Sequence, residues 1–160
     1  MPNRDVDLWA PGDPLSSAHL NDNGIGKISK GRKTSDSAGT TTVETQITTT
    51  AVTKSGREIE IHVQGRLQTG IPSQVQVRVD EDGVQIARYN IWSPGTNGDP
   101  NGDEKPIPFH FVVETQPSAA SHSYSLITGV SGSSGATCKL VASSDAPALI
   151  AVYDVGPTIT

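Results

Sequence analysis

Residues 57–67 constrain the fold more than any other part of this chain. Ile59, Ile61, Val63, Gly65 and Leu67 fall on one face, while Glu58, Glu60, His62, Gln64 and Arg66 fall on the other. A period of two is the mark of a half-buried strand. Residues 74–80 repeat it, with Val75, Val77 and Val79 inward and Gln74, Gln76 and Arg78 outward. Asp80-Glu81-Asp82-Gly83 then supplies turn chemistry, with glycine at a position that needs positive φ, and residues 84–92 complete a hairpin. Alternation returns over 107–115, segments 122–130, 136–143 and 148–155 complete the set, and 41–53 forms an earlier, Thr-dominated strand. About eight strands without helical crossovers disfavour a parallel sheet. The expected fold is all-β: an antiparallel β-sandwich of jelly-roll type.

Composition agrees. Ile and Val supply 26 of the 35 Leu, Ile, Val and Phe residues, and branching at Cβ suits a pleated surface better than a helix. The 35 are 22% of the 160 residues, only just above the ~20% below which chains fail to fold. A chain so sparing in large apolar groups gains burial by assembling with copies of itself. The Thr-rich stretch at 40–50, whose one charge is Glu44, presents little that would resist such docking.

Residues 1–33 differ in character. Leu8, Trp9, Leu15 and Leu20 are scattered among Pro, Gly, Asp and Asn without sustained periodicity. Asp13-Pro14 can cap a short helical stretch that Asn23-Gly24 would end. Lys27, Lys30, Arg32 and Lys33 then place four positive charges within seven residues, to be read as a tether to an acidic surface or as a soluble linker. The expected organisation is an extended N-terminal docking arm (1–33) and a sandwich domain (34–160), with the boundary near residues 30–37.

The long loop at 93–106 is the natural place to look for a ligand, since structureless loops of this length are usually functional or disordered. Trp92, Asn97, Asp99, Asn101 and Asp103 are its candidate contacts, with Tyr89 as a second exposed aromatic. The oxygen ligands of this loop could suit Ca²⁺, but the EF-hand glycine and terminal acid are missing, and Asn-Gly and Asp-Pro are ordinary turn formers. No metal site or cofactor is expected. His62 and His110 fall opposite the apolar faces, whereas His122 shares a face with Tyr124 and Leu126. No Gly-x-Ser-x-Gly elbow accompanies them. Glu58 and Glu60 alternate outward with nothing to desolvate them, and Cys138 reads as a buried free thiol. No catalytic residue is expected.

No apolar run approaches a membrane-spanning length, and Met1-Pro2-Asn3-Arg4 lacks the apolar core of a secretory leader. A net charge of −5 gives no general attraction to nucleic acid. Neither membrane association nor direct nucleic-acid binding is expected.

Three segments carry a resemblance. Gly12-Asp13-Pro14-Leu15-Ser16-Ser17-Ala18-His19-Leu20-Asn21 resembles the opening of many tailed-phage virion proteins, with Ser16-Ser17 where that pattern has Thr-Ala. Residues 54–61 are similar to the strand, Gly-Arg turn and strand of their β-rich modules. Val152-Tyr153-Asp154-Val155-Gly156-Pro157 looks like their closing pattern. The resemblance implies a head-decoration or minor tail protein, with a jelly roll akin to tumour-necrosis-factor-like trimers and no catalytic residues. The expectation is thus a non-enzymatic homotrimer on the outer surface of a phage particle. Its arm, through Leu8, Trp9, Leu15, Leu20 and the basic stretch, would dock on the major capsid protein or a tail protein. The alternative is a receptor- or carbohydrate-binding module that takes a host-surface glycan at the 93–106 loop.

Overall fold

The computed structural model describes residues 26–95, 106–132 and 135–157. Its regular elements are nine strands: β1 (Gly26–Lys33), β2 (Glu44–Val52), β3 (Arg57–Thr69), β4 (Ser73–Glu81), β5 (Val84–Ser93), β6 (Ile107–Thr115), β7 (Ser121–Val130), β8 (Cys138–Val141) and β9 (Ala148–Pro157). They form two antiparallel sheets. One runs β1-β9-β3-β6, with β8 also on β3, and the other runs β2-β7-β4-β5. Setting β8 aside, the eight long strands interleave between the two sheets as a jelly roll does, in two Greek keys. The all-β sandwich read from the sequence is therefore the observed fold.

The strand set differs from the expected eight at one place. Gly26–Lys33, which the sequence reading gave to the arm, is β1 and pairs along β9 from Gly26↔Asp154 to Lys33↔Ala148. The basic stretch is thus an edge strand of the sandwich, not a linker. Short β8 pairs with Arg66–Thr69 at the end of β3, beside β9's own pairing with Arg57–Gln64. Because β6 occupies the other side of β3 as far as Leu67, β8 prolongs the line of β9, and residues 142–147 form an excursion between them.

Alternation decides the core. Ile59, Ile61, Val63 and Leu67 of β3 are fully buried, together with Val75, Val77 and Val79 of β4, Leu126 of β7 and Ile150 and Val152 of β9. Each such side chain contributes about 1.5–3 kcal/mol on burial. Gly65 lies on this inward face because Phe109 and Leu140 fill the space above it: an added Cβ would meet Phe109 Cζ at 2.9 Å. The open sides of the sandwich are closed differently. Between β1 and β2, Ser29 and Thr49 join hydroxyls. Between β5 and β6, Tyr89 stacks on Phe111 with ring centroids 3.9 Å apart. Tyr89 is therefore a packing residue, half-buried, and not the exposed aromatic the sequence suggested.

Candidate functional site

Two side-chain clusters stand out, and they have different chemistry. The first lies where the β4–β5 hairpin meets β7. Asp82 (φ 50°) and Gly83 (φ 81°) are the two central residues of the turn, and two successive positive φ values match the twist of the flanking strands. The turn aims the Asp82 carboxylate at β7. There Oδ2 accepts from His122 Nδ1 at 2.7 Å and Oδ1 accepts from the Ser123 amide at 2.8 Å. His122 Nε2 faces the Ser118 carbonyl at 3.1 Å. The Ser118 hydroxyl lies 3.4 Å from the same nitrogen, so the imidazolium donates to both the Asp82 carboxylate and the Ser118 carbonyl, and the neutral ring donates to Asp82 while accepting from the Ser118 hydroxyl. Glu81 stands 3.6 Å from His122 Nδ1 and accepts from the Thr115 hydroxyl on β6.

The electrostatics follow. His122 is held above its ordinary value, chiefly by the hydrogen bond to Asp82 and then by the Ser118 carbonyl and the charges of Asp82 and Glu81, against the cost of burial. Asp82 is held below its ordinary value, chiefly by the Ser123 amide and then by His122. Neighbouring Tyr124 is fully buried, and burial raises its phenol well above the usual range. Glu81, Asp82 and His122 each offer one ligand atom, all within 4.8 Å of one another. Those carboxylates, however, are already bonded to His122, Ser123 and Thr115. The arrangement is a latch that fastens hairpin to sheet. Nothing in it resembles a base aimed at an open substrate position, which general acid–base catalysis requires.

The second cluster occupies the outward face of the β1-β9-β3-β6 sheet. The register sets Lys27 opposite Tyr153, Lys30 opposite Ala151 and Arg32 opposite Leu149. It also sets Tyr153 opposite Glu60, Ala151 opposite His62 and Leu149 opposite Gln64. Opposed residues of an antiparallel pair share a face, so three cations on β1 look across β9 at the polar side of β3. His62 packs against Tyr153 at 4.7 Å and lies 6.0 Å from His110 on β6. Its Nε2 bonds Glu60 at 2.9 Å. A depression of about 120 Å³ lies over Ala151 between Lys30 and His62. A larger one of about 340 Å³ adjoins it at Gln64 and His110 and runs to Asp145 and Pro147.

Of the residues singled out in the sequence, Lys27, Lys30 and Arg32 are brought to this face, and Lys33 ends β1. Trp92 is 65% exposed near the end of edge strand β5. Leu8, Trp9, Leu15 and Leu20, with Asn97, Asp99, Asn101 and Asp103, lie outside the described residues. Cys138 is buried, and burial pushes its thiol up to about 12. The sequence reading left His122 and Asp82 unconnected, because the bond depends on the β4–β7 register. The clue available was that His122 alternates inward with Tyr124.

No protein-family model and no curated protein matches the chain. Solved structures with a similar arrangement include dimeric latent PorU from Porphyromonas gingivalis, with 10% identity and a TM-score of 0.48 over 91% of this chain and 14% of that one. The carbohydrate-binding module CBM36 in complex with calcium and xylotriose matches at 9% identity and a TM-score of 0.40, over 77% of this chain and 98% of the module. The infectious bursal disease virus VP2 subviral particle matches at 13% identity and a TM-score of 0.40, over 82% of this chain and 38% of that one.

Proposed function

We propose that the protein is a non-catalytic structural component of a tailed-phage virion, a homotrimeric head-decoration protein whose segment before Gly26 docks on the capsid. The observation that carries the reading is the contrast in charge between the outward surfaces of two strands, β1 and β2. Their facing sides close on one another through Ser29 and Thr49, so the surface left for other chains is the outward one. Edge strand β1 carries Lys27, Lys30, Arg32 and Lys33 in eight residues. Edge strand β2 is nine residues long, and after Glu44 it contains no charge and no proline. Its outward Thr48 and Thr50 adjoin Ser125 and Ser123 of β7, giving a flat, uncharged hydroxyl surface suited to contact between copies. The resemblance of residues 12–21 and 152–157 to virion proteins points the same way. The joint substitution Thr48→Lys and Thr50→Lys tests it: the fold should persist and the oligomer should fall to single chains, whereas an unchanged oligomer would remove β2 from the interface.

A second reading rests on Trp92. A mostly exposed indole on an edge strand is an energetically unusual surface group and a common anchor for ligands. As a receptor- or glycan-binding module, the protein would lose glycan-array binding on Trp92→Ala.

A further inference from the structure

We propose that the outward face of the β1-β9-β3-β6 sheet binds an acidic saccharide, its negative group held by Lys27 and Lys30 and its ring seated over Ala151, beside the packed pair of Tyr153 and His62. This surface lies on the opposite sheet from Trp92, and the proposal does not depend on how copies of the chain assemble.

Three observations converge on the groove. The first is shape. Ala151 is the small residue between Tyr153 and Leu149 on the outward side of β9, so the surface dips there, and the two adjoining depressions share Gln64 and His110. From His62 to Arg66 the channel follows five residues of β3, about 13 Å over four strand rises, which is room for two or three sugar rings. The second is the lining. Tyr153, Leu149 and Ala151 offer apolar surface for the C–H face of a ring, while Gln64, His62 and His110 offer the donors and acceptors that hydroxyl groups need.

The third is charge. Lys27 and Lys30 form no ion pair among the described residues, whereas Lys139, Arg57 and Arg78 each do. The ammonium groups of Lys27 and Lys30 stand on the β1 wall of the smaller depression, whereas Arg66 and Asp145 line the larger one. Across the sheet, Glu60 and Glu114 face each other on β3 and β6. A uniformly anionic chain such as nucleic acid would meet those carboxylates. A saccharide that carries a carboxylate on one side of a neutral ring matches both walls, because ammonium groups bind such anions as point charges.

The test uses the full-length protein and titration calorimetry with a trimer of two neutral galactose rings and one galacturonate, its neutral methyl ester, and inorganic phosphate. The trimer should bind saturably and more weakly as salt rises. Its ester should bind at least tenfold more weakly, and phosphate should not compete at equal concentration. Lys27→Ala and Lys30→Ala, both outward-facing and outside the core, should each weaken the trimer several-fold with the thermal midpoint unchanged, and together at least tenfold. No saturable trimer binding at millimolar concentration, equal binding of the ester, equal binding of phosphate, or wild-type affinity in the double variant would each overturn the proposal.

Discussion

His122 Nδ1 lies 2.7 Å from Asp82 Oδ2, forty residues away in sequence, and this bond ties the tip of the β4–β5 hairpin to the start of β7. It makes the hairpin's position depend on pH. His122 is raised in the folded protein, so its stabilising effect is complete below its unfolded value near 6.5 and fades as pH rises through the folded value. Asp82 is lowered, so its effect is complete above its unfolded value near 3.8 and fades as pH falls through the folded value. The latch is therefore tightest between about pH 4 and 6.5. Urea midpoints should be highest in that window and fall toward alkaline pH, and Asp82→Asn should flatten the alkaline fall. An alkaline slope unchanged in Asp82→Asn would contradict this.

Arg57 and Asp154 form the most enclosed ion pair among the described residues. Arg57 Nη2 and Nε approach Asp154 Oδ1 at 2.7 and 2.8 Å, and the Asp154 side chain is 4% exposed. The Gly156 amide also donates to that oxygen. Removing one partner strands a buried charge, so Arg57→Ala should cost about 3 kcal/mol by chemical denaturation. A change below about 1 kcal/mol would place the pair among ordinary surface bridges.

Gly65 tests the packing. A Cβ there would meet Phe109 and Leu140 at 2.9–3.1 Å, so Gly65→Ala should destabilise by about 1–3 kcal/mol through overpacking. The gain in backbone rigidity that alanine usually brings, about 0.4–1 kcal/mol, is too small to offset it. A stabilised variant would contradict the close contact.

Cys138 should be silent in the native state. Its thiol is buried and its ionisation is pushed up to about 12, and the thiolate is the reactive form. A colorimetric disulfide reagent should label it only after denaturation. Rapid labelling of the folded protein at neutral pH would show that β8 opens.

How much of this was written in the sequence varies by element. In β3, β4 and β6 one face is buried and the other more solvated, so alternation is plain in the residue types. β1 hides because its inward positions include Ser29 and Gly31, and because a bulge between Lys27 and Ser29 breaks the period of two. Gly31 cannot be exchanged for a larger apolar residue that would reveal the strand: a Cβ there would meet Ile47 Cγ2 at 2.6 Å. β2 begins at Glu44, later than alternation suggests, since the Thr40 hydroxyl caps a local turn through Thr42. The two clusters were less legible than the strands. Tyr153, His62 and Lys30 are neighbours only because β9 lies between β1 and β3, an order that hydrophobic pattern does not specify.

If the uncharged outward surface of β2 brings three copies of this sandwich together, as proposed, the mass of the unmodified protein in native solution reports it directly. Native mass spectrometry or light scattering should return a particle of about 50 kDa, three times the 16.8 kDa chain. A stable single chain of 16.8 kDa at micromolar concentration would contradict the account.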